Sequence, residues 1–193
     1  KYAGYIVISD EIKPGTPAAL ASLKKLCSAR TIMLTGDRKA AAEAVARQAG
    51  IDEFHAELLP DGKVSRVEEL YKAKPEGSTL VFVGDGMNDA PALARADVGI
   101  AMGAMGSDAA IEAADIVLMN DNIESLPTAV RISRKTHAIV MQNIVFAIGV
   151  KVLIMILTAL GITNMWVAVF GDVGVAVIAI LNAMRTLGTR KKV

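Results

Sequence analysis

The sequence is nearly devoid of cysteine. Its 193 residues hold one, Cys27. An intrachain disulfide is excluded, and the residue's place in a helix-patterned segment predicts a small buried hydrophobe. Charge of one sign is lacking too. Lys and Arg number 21 against 20 Asp and Glu, a net charge of +1. That balance excludes a broad basic face for nucleic acid, and equally an acidic tail. No initiating methionine and no secretory signal is present. The chain opens inside a strand-like run, Gly4-Tyr5-Ile6-Val7-Ile8-Ser9, and reads as the C-terminal piece of something longer. From Thr128 to Ile148 there is neither glycine nor proline, so nothing there interrupts a helix.

What is abundant is apolar. Hydrophobic residues make up 53% of the chain and the mean hydropathy is +0.43, high for a water-soluble domain. The excess lies after His137. Before it, strand and helix patterns alternate from residue 4 to about residue 120. Thr16 is the expected N-cap of a helix from Pro17 to about Ala29, with apolar spacing at Leu20, Leu23 and Cys27. A strand over Thr31–Leu34, a helix over Arg38–Gln48 closed by Gly50, a brief strand over Phe54–Glu57 and a helix over Lys63–Lys72 follow. Further strands are expected at Leu80–Val83, Val98–Ala101 and Asp115–Met119, with short helices between them. This β/α alternation predicts an α/β fold, a doubly wound parallel sheet with helices on both faces.

The run Leu80–Val83 has the β-branched content of a buried parallel strand and ends in Gly84-Asp85-Gly86-Met87-Asn88-Asp89. The glycines permit a tight turn. That turn gathers Asp85, Asn88 and Asp89 at the carboxyl end of a strand, where open α/β sheets bind ligands. Hard oxygen donors of this kind suit Mg²⁺, although an Asp/Asn/Gly turn is also ordinary loop chemistry. Two more segments lie where they can converge with it. In Thr35-Gly36-Asp37, the hydroxyl and an unobstructed backbone N–H suit phosphoryl oxygens. Lys63 offers a point charge for phosphate. Together they would form an electrostatic phosphoryl-transfer site, with Asp85 and Asp89 holding Mg²⁺. Singly, Thr-Gly-Asp is a turn with a helix N-cap, and Lys63 is one surface lysine among many. No nucleophile is visible in these loops.

After Asp121 the pattern changes, and the domain boundary is expected there, with residues 1–122 preceding residues 123–193. Ser125 and Pro127 mark a helix start. Two apolar stretches follow, Ala138–Ile162 and Met165–Met184, separated by Thr163-Asn164. Each is long enough to cross a bilayer. Arg131, Arg134 and Lys135 precede the first; Arg185, Arg190, Lys191 and Lys192 follow the second. Positive charge on both outer flanks puts both ends in the cytoplasm and a short turn outside. A continuous helix from Pro127 to Gly161 would be about 50 Å long and join the soluble domain to the membrane. Lys151 lies near the middle of the first stretch and Asp172 near the middle of the second. Each isolated charge costs roughly 3 kcal/mol at a helix centre. A short hairpin can place them at one depth as a buried pair, with Gly171 and Gly174 allowing close helix approach. The pair is either a structural ion pair or a site for a divalent cation that displaces the lysine.

At this point the residues resemble a known family. Thr35-Gly36-Asp37, the string from Gly84 through Asp89 to Ala90-Pro91-Ala92-Leu93, and Ala96-Asp97-Val98-Gly99-Ile100-Ala101-Met102-Gly103 are similar to the P-type ATPases. Their phosphorylation domain is of the haloacid-dehalogenase-like kind. Asp10-Glu11-Ile12-Lys13-Pro14 resembles the family's motif near the nucleotide-domain hinge, and Lys63 in Leu59-Pro60-Asp61-Gly62-Lys63 matches its phosphate-binding lysine. Asn143 with Lys151, and Asp172-Val173-Gly174, are similar to the Zn²⁺/Cd²⁺/Pb²⁺-exporting branch. The resemblance implies ATP and Mg²⁺ as cofactors, with nucleotide-side contact at Asp10 and Mg²⁺ at Asp85 and Asp89. It implies Asp172 as the transported-metal ligand and Lys151 as its counter-ion. It implies a multi-pass membrane protein with a cytoplasmic soluble domain, partnered by lipid, metal, ATP and further domains of the same pump. The family's Asp-Lys-Thr-Gly, Thr-Gly-Glu and Cys-Pro-Cys strings are absent, so the 193 residues are expected to be inactive alone. A non-catalytic membrane-tethered piece that docks with or regulates a split pump is the alternative. A soluble phosphatase of the same superfamily is disfavoured by the two apolar stretches.

Overall fold

The structure, a computed structural model, describes residues 11–84, 87–103, 108–162 and 164–191. The chain divides into two compact units, Lys1–Pro127 and Thr128–Val193. The strand expected over residues 4–9, Asp10, Asp85 and Thr163 lie outside the described residues.

In the first unit, helices and strands alternate. Helix α1 (Thr16–Cys27) is followed by strand β1 (Ile32–Leu34), helix α2 (Lys39–Ala49) and strand β2 (Glu53–His55). β1 and β2 pair in parallel, Ile32 opposite Glu53 and Leu34 opposite His55. Helix α3 (Pro60–Ala73) leads to strand β3 (Val81–Gly84). A short turn of 3₁₀ helix (Met87–Asp89), helix α4 (Ala90–Leu93), strand β4 (Val98–Met102), helix α5 (Asp108–Ala113) and strand β5 (Ile116–Leu118) follow. These strands form a second parallel sheet in the order β3-β4-β5. Its core is Leu93, Ala101 and Ala110, with Phe82, Ala113, Ala114 and Val117 packed against them. Gly99 lets α4 lie close to β4, because a Cβ there would sit 2.7 Å from the Leu93 carbonyl oxygen.

Three local expectations are corrected. Gly15, at φ 82°, caps α1, and Thr16 is the first helical residue without a capping side chain. The left-handed turn is one that glycine adopts easily, so the cap falls on it rather than on Thr16. Cys27 is exposed, not buried, because α1 turns Ala19 to the interior instead. Helix α3 begins at Pro60, a turn ahead of Lys63, since proline suits the first helical position.

Carboxylates tie the elements together. Asp52 accepts hydrogen bonds from the Lys24 ammonium at 2.5 Å and from the Thr31 backbone N–H and hydroxyl at 2.8 and 2.9 Å. The Lys24 bond first, then the Thr31 bonds, hold the Asp52 carboxyl down at about 2, against an ordinary 3.8. A depressed carboxylate stabilises the fold above its unfolded value and loses that contribution as pH falls through its folded value. Thermal melts are therefore expected to show an acid-labile component between about pH 4 and about pH 2 that Asp52→Asn removes. Parent and variant with identical acid limbs would refute this.

The second unit is a helical hairpin. Helix α6 (Ser125–Ala159, 35 residues) starts at the last residues of the first unit, and helix α7 (Met165–Ala183, 19 residues) follows a short turn. Asn164 caps α7 by accepting a bond from the Val167 N–H at 3.2 Å. Both helices are long and apolar enough to cross a membrane. A 3₁₀ segment, Met184–Lys191, ends the described chain.

Candidate functional site

Within each sheet, parallel pairing puts the carboxyl ends of neighbouring strands on one edge, and Thr35, the segment of Lys63 and the acidic turn each follow a strand end. β1 ends at Leu34, just before Thr35. β2 ends at His55, before the segment that leads to Lys63. β3 ends at Gly84, before the acidic turn.

The clearest contact joins two of these segments. Lys63, in the first turns of α3, donates to Asp89 Oδ1 at 2.9 Å across 26 positions of sequence. Asp89 is 8% exposed, buried at the base of the turn. Gly84 makes room for it: a Cβ there would lie 2.8 Å from the Asp89 Cβ and 2.9 Å from its Oδ2. The turn thus needs glycine at position 84 because the carboxylate folds back on the strand end. A buried carboxylate without its cation would be costly, so the lysine fixes where the carboxylate sits. Asn88 stays exposed and lines an open cavity of about 370 Å³ with Asp61, Ser65, Glu68 and Pro91 among its walls.

The Thr35–Asp37 loop is held differently. The Thr35 hydroxyl donates to Asp37 Oδ2 at 2.6 Å, and the Asp37 N–H donates back to the hydroxyl at 3.1 Å. The loop also bonds to the segment before α3: the Thr35 N–H donates to the His55 carbonyl at 2.9 Å, and the Leu58 N–H donates to the Thr35 carbonyl at 3.1 Å. A Cβ on Gly36 would meet the Leu58 carbonyl oxygen at 3.2 Å. The cap of α2 is Arg38, not Asp37, so Thr-Gly-Asp here is a closed turn rather than a helix cap. Lys13 pairs with Asp121 at 2.5 Å between exposed side chains.

In the second unit, Lys151 Nζ lies 3.2 Å from Asp172 Oδ1. The two intramembrane charges therefore meet. They are not buried by the hairpin: their side chains are 66% and 68% exposed. Two helices cover only one side of such a pair. Gly171 is the contact glycine, because a Cβ there would lie 2.1 Å from Ile154 Cδ1. Gly174 makes no close approach within the hairpin. Asn143 donates to the Ala179 carbonyl at 3.1 Å and accepts from Asn182 at 2.8 Å. Arg185 donates to Asn182 Oδ1 at 2.8 Å. Nothing in the linear pattern singles out Asn182. A polar amide near the end of an apolar stretch is its only signal.

Two parallel sheets with interleaved helices, and a lysine meeting a buried aspartate just past the end of β3, make the first unit an α/β domain with charged groups at its strand ends. The family profile of haloacid dehalogenase-like hydrolases matches residues 1–97, half of the chain, and the chain belongs to that family. Its likeness extends through the hairpin to metal-transporting P-type ATPases. It is 54% identical over 192 residues, all of this chain, to the cadmium, zinc and cobalt-transporting ATPase of Bacillus subtilis (strain 168), covering 27% of that protein. It is 54% identical over 186 residues to the zinc-transporting ATPase of Synechocystis sp. (strain ATCC 27184 / PCC 6803 / Kazusa), covering 96% of this chain and 26% of that protein. Among solved structures, a zinc-transporting PIB-type ATPase in its E2.Pi state superimposes with a TM-score of 0.83 at 40% identity, over 93% of this chain and 28% of that one. The chain thus spans about a quarter of the length of these relatives.

Proposed function

We propose that this chain is the C-terminal portion of an ATP-driven pump that exports Zn²⁺, with Cd²⁺ and Pb²⁺ as further cargo, through a phosphoenzyme cycle. One observation carries the reading. A lone carboxylate–ammonium pair, Asp172 with Lys151 at 3.2 Å, lies within two apolar helices. The relatives of this chain are named for zinc and cadmium transport. Asp172 would bind the metal together with softer ligands from other spans of the same protein. Lys151 would neutralise the carboxylate whenever the metal is absent.

In the soluble unit, Thr35, the Gly36 N–H and Lys63 would grip the transferring phosphoryl group. Asp37 holds the Thr35 hydroxyl in its turn. The donor set at the end of β3 fits Mg²⁺: the buried Asp89 carboxylate beside the exposed Asn88 amide offers hard oxygens within one turn. Asp85 is the second carboxylate of this proposal, and Asp10 the residue nearest the nucleotide. Bound Mg²⁺ would neutralise charge on the phosphoryl oxygens. Lys63 keeps the Asp89 carboxylate at the strand end and brings a positive charge to the same edge. The phosphorylated aspartate and the nucleotide-binding domain would come from other parts of the pump.

The test is ATP hydrolysis by the full-length protein in membrane vesicles, measured ion by ion. Stimulation by Zn²⁺, Cd²⁺ and Pb²⁺ and none by Cu⁺ is the expected result. Stimulation by Cu⁺ alone would overturn the assignment.

A further inference from the structure

Glu57 holds an unusual backbone conformation beside the candidate phosphate loop. Its φ is 59°, in the left-handed region that disfavours side chains with a Cβ. Among described non-glycine residues only Ser28 shares this sign, and Ser28 is a helix C-cap, where the conformation is ordinary. Glu57 ends no helix. It lies two residues beyond β2 and three before α3.

Its bonds explain why the conformation persists. The Glu57 N–H donates to the Asp37 carbonyl at 2.9 Å, and the next N–H, of Leu58, donates to the Thr35 carbonyl. The left-handed turn at Glu57 aims two consecutive N–H groups at the two ends of Thr35-Gly36-Asp37. Its carboxylate reaches the other way. Glu57 Oε1 accepts from the Lys39 N–H at 3.5 Å. Lys39 is the first residue of α2, whose own N-cap, Arg38, offers no capping side chain. Negative charge there also suits the positive end of the helix dipole. If only the backbone turn were needed, glycine would adopt it without strain. Glutamate in place of glycine brings an acceptor oxygen to the first turn of α2.

We propose that Glu57 is a positioning residue for phosphate: it locks the Thr35–Asp37 loop to the segment carrying Lys63 while capping α2 from across the site. The inference rests on the reading of Thr35, Gly36 and Lys63 as phosphoryl-gripping groups. It adds the element that sets their spacing.

The experiment uses the full-length protein, with two readouts: amide hydrogen exchange, and inhibition of ATP hydrolysis by inorganic phosphate. In Glu57→Ala, exchange at Lys39 and Leu58 is expected to rise about fivefold while the middle of α2 is unchanged, the scale of a lost helix cap. The inhibition constant for phosphate is expected to rise about tenfold, because small misplacements of gripping groups weaken binding steeply. Glu57→Gln keeps an acceptor oxygen and should restore both readouts. If Glu57→Ala unfolds α2, Glu57→Gly carries the test, since its backbone suits φ near 59°. Parent-like exchange and phosphate inhibition in Glu57→Ala, or Glu57→Gln as impaired as Glu57→Ala, overturns the proposal. Thr35→Ala separates the two readings. If Thr35→Ala leaves phosphate inhibition unchanged, the site reading fails. If it weakens inhibition and Glu57→Ala does not, only the role of Glu57 fails.

Discussion

Asp172→Ala in the full-length protein is expected to reduce Zn²⁺-stimulated ATP hydrolysis by at least about 100-fold, the scale on which even an outer partner of a metal ligand can matter. The reason is electrostatic. A carboxylate in the middle of an apolar helix is expensive, roughly 3 kcal/mol on insertion scales, and is tolerated where something uses it. In the hairpin it meets Lys151 at 3.2 Å, with both side chains about two-thirds exposed. Two helices by themselves do not cover the pair, and the further spans of the proposed pump would complete its surroundings. Removing the carboxylate leaves an unpaired ammonium and no anionic ligand. Lys151→Met is expected to do the opposite to affinity: the metal binds more tightly and turnover slows, because no counter-ion returns on release. A purely structural pair predicts that both variants lose membrane-inserted protein alike. Protein levels in the membrane, measured beside metal-stimulated turnover, distinguish the two. Full turnover in Asp172→Ala would sink the transport-site assignment.

Lys63→Met should damage both stability and chemistry. Lys63 and Asp89 are 22% and 12% exposed in their side chains, and their bond is charge-assisted at 2.9 Å. Removing one partner leaves a buried carboxylate unsatisfied, at a cost of about 1–3 kcal/mol. The melting temperature of the first unit should fall by several degrees. ATP hydrolysis should fall about 100-fold, the usual effect of losing one donor that stabilises developing charge. Lys63→Arg separates the effects: its guanidinium can restore the ion pair and the melting temperature, but a planar fork does not replace a point charge on the phosphoryl group. A Lys63→Met protein with parental turnover would exclude Lys63 from phosphate binding.

Much of this was legible in the linear order of residues. Alternation of β-branched runs with helix-spaced segments placed β1, β3, β4 and β5 within a residue or two, because local periodicity reflects which face is buried. Gly50 closes α2, with φ 72°, and Ser125 opens α6, since caps and breakers act within a few residues. The two apolar helices follow from composition, and their likeness to metal-transporting ATPases from short strings of unusual specificity.

Other features are contacts between distant positions, and a linear pattern carries no distance. That Lys63, rather than another lysine, meets Asp89 depends on α3 starting at Pro60 and on Gly84 leaving space for a carboxylate. That Gly171 and not Gly174 accepts the neighbouring helix depends on which side of α7 faces Ile154. Cys27 fits an apolar helical spacing, yet α1 buries Ala19 and leaves the thiol outside. Lys151 and Asp172 were legible as a possible pair, but only packing shows that they meet within bonding distance. Glu57 carries no local signal, because glutamate has no preference for a left-handed turn. Sequence alone determined the order of most elements and the two long apolar helices, which rest on local propensity and hydropathy. Tertiary structure decided which charges pair, which glycine is crowded and which residue is strained, because those depend on side chains brought together from far apart in the chain.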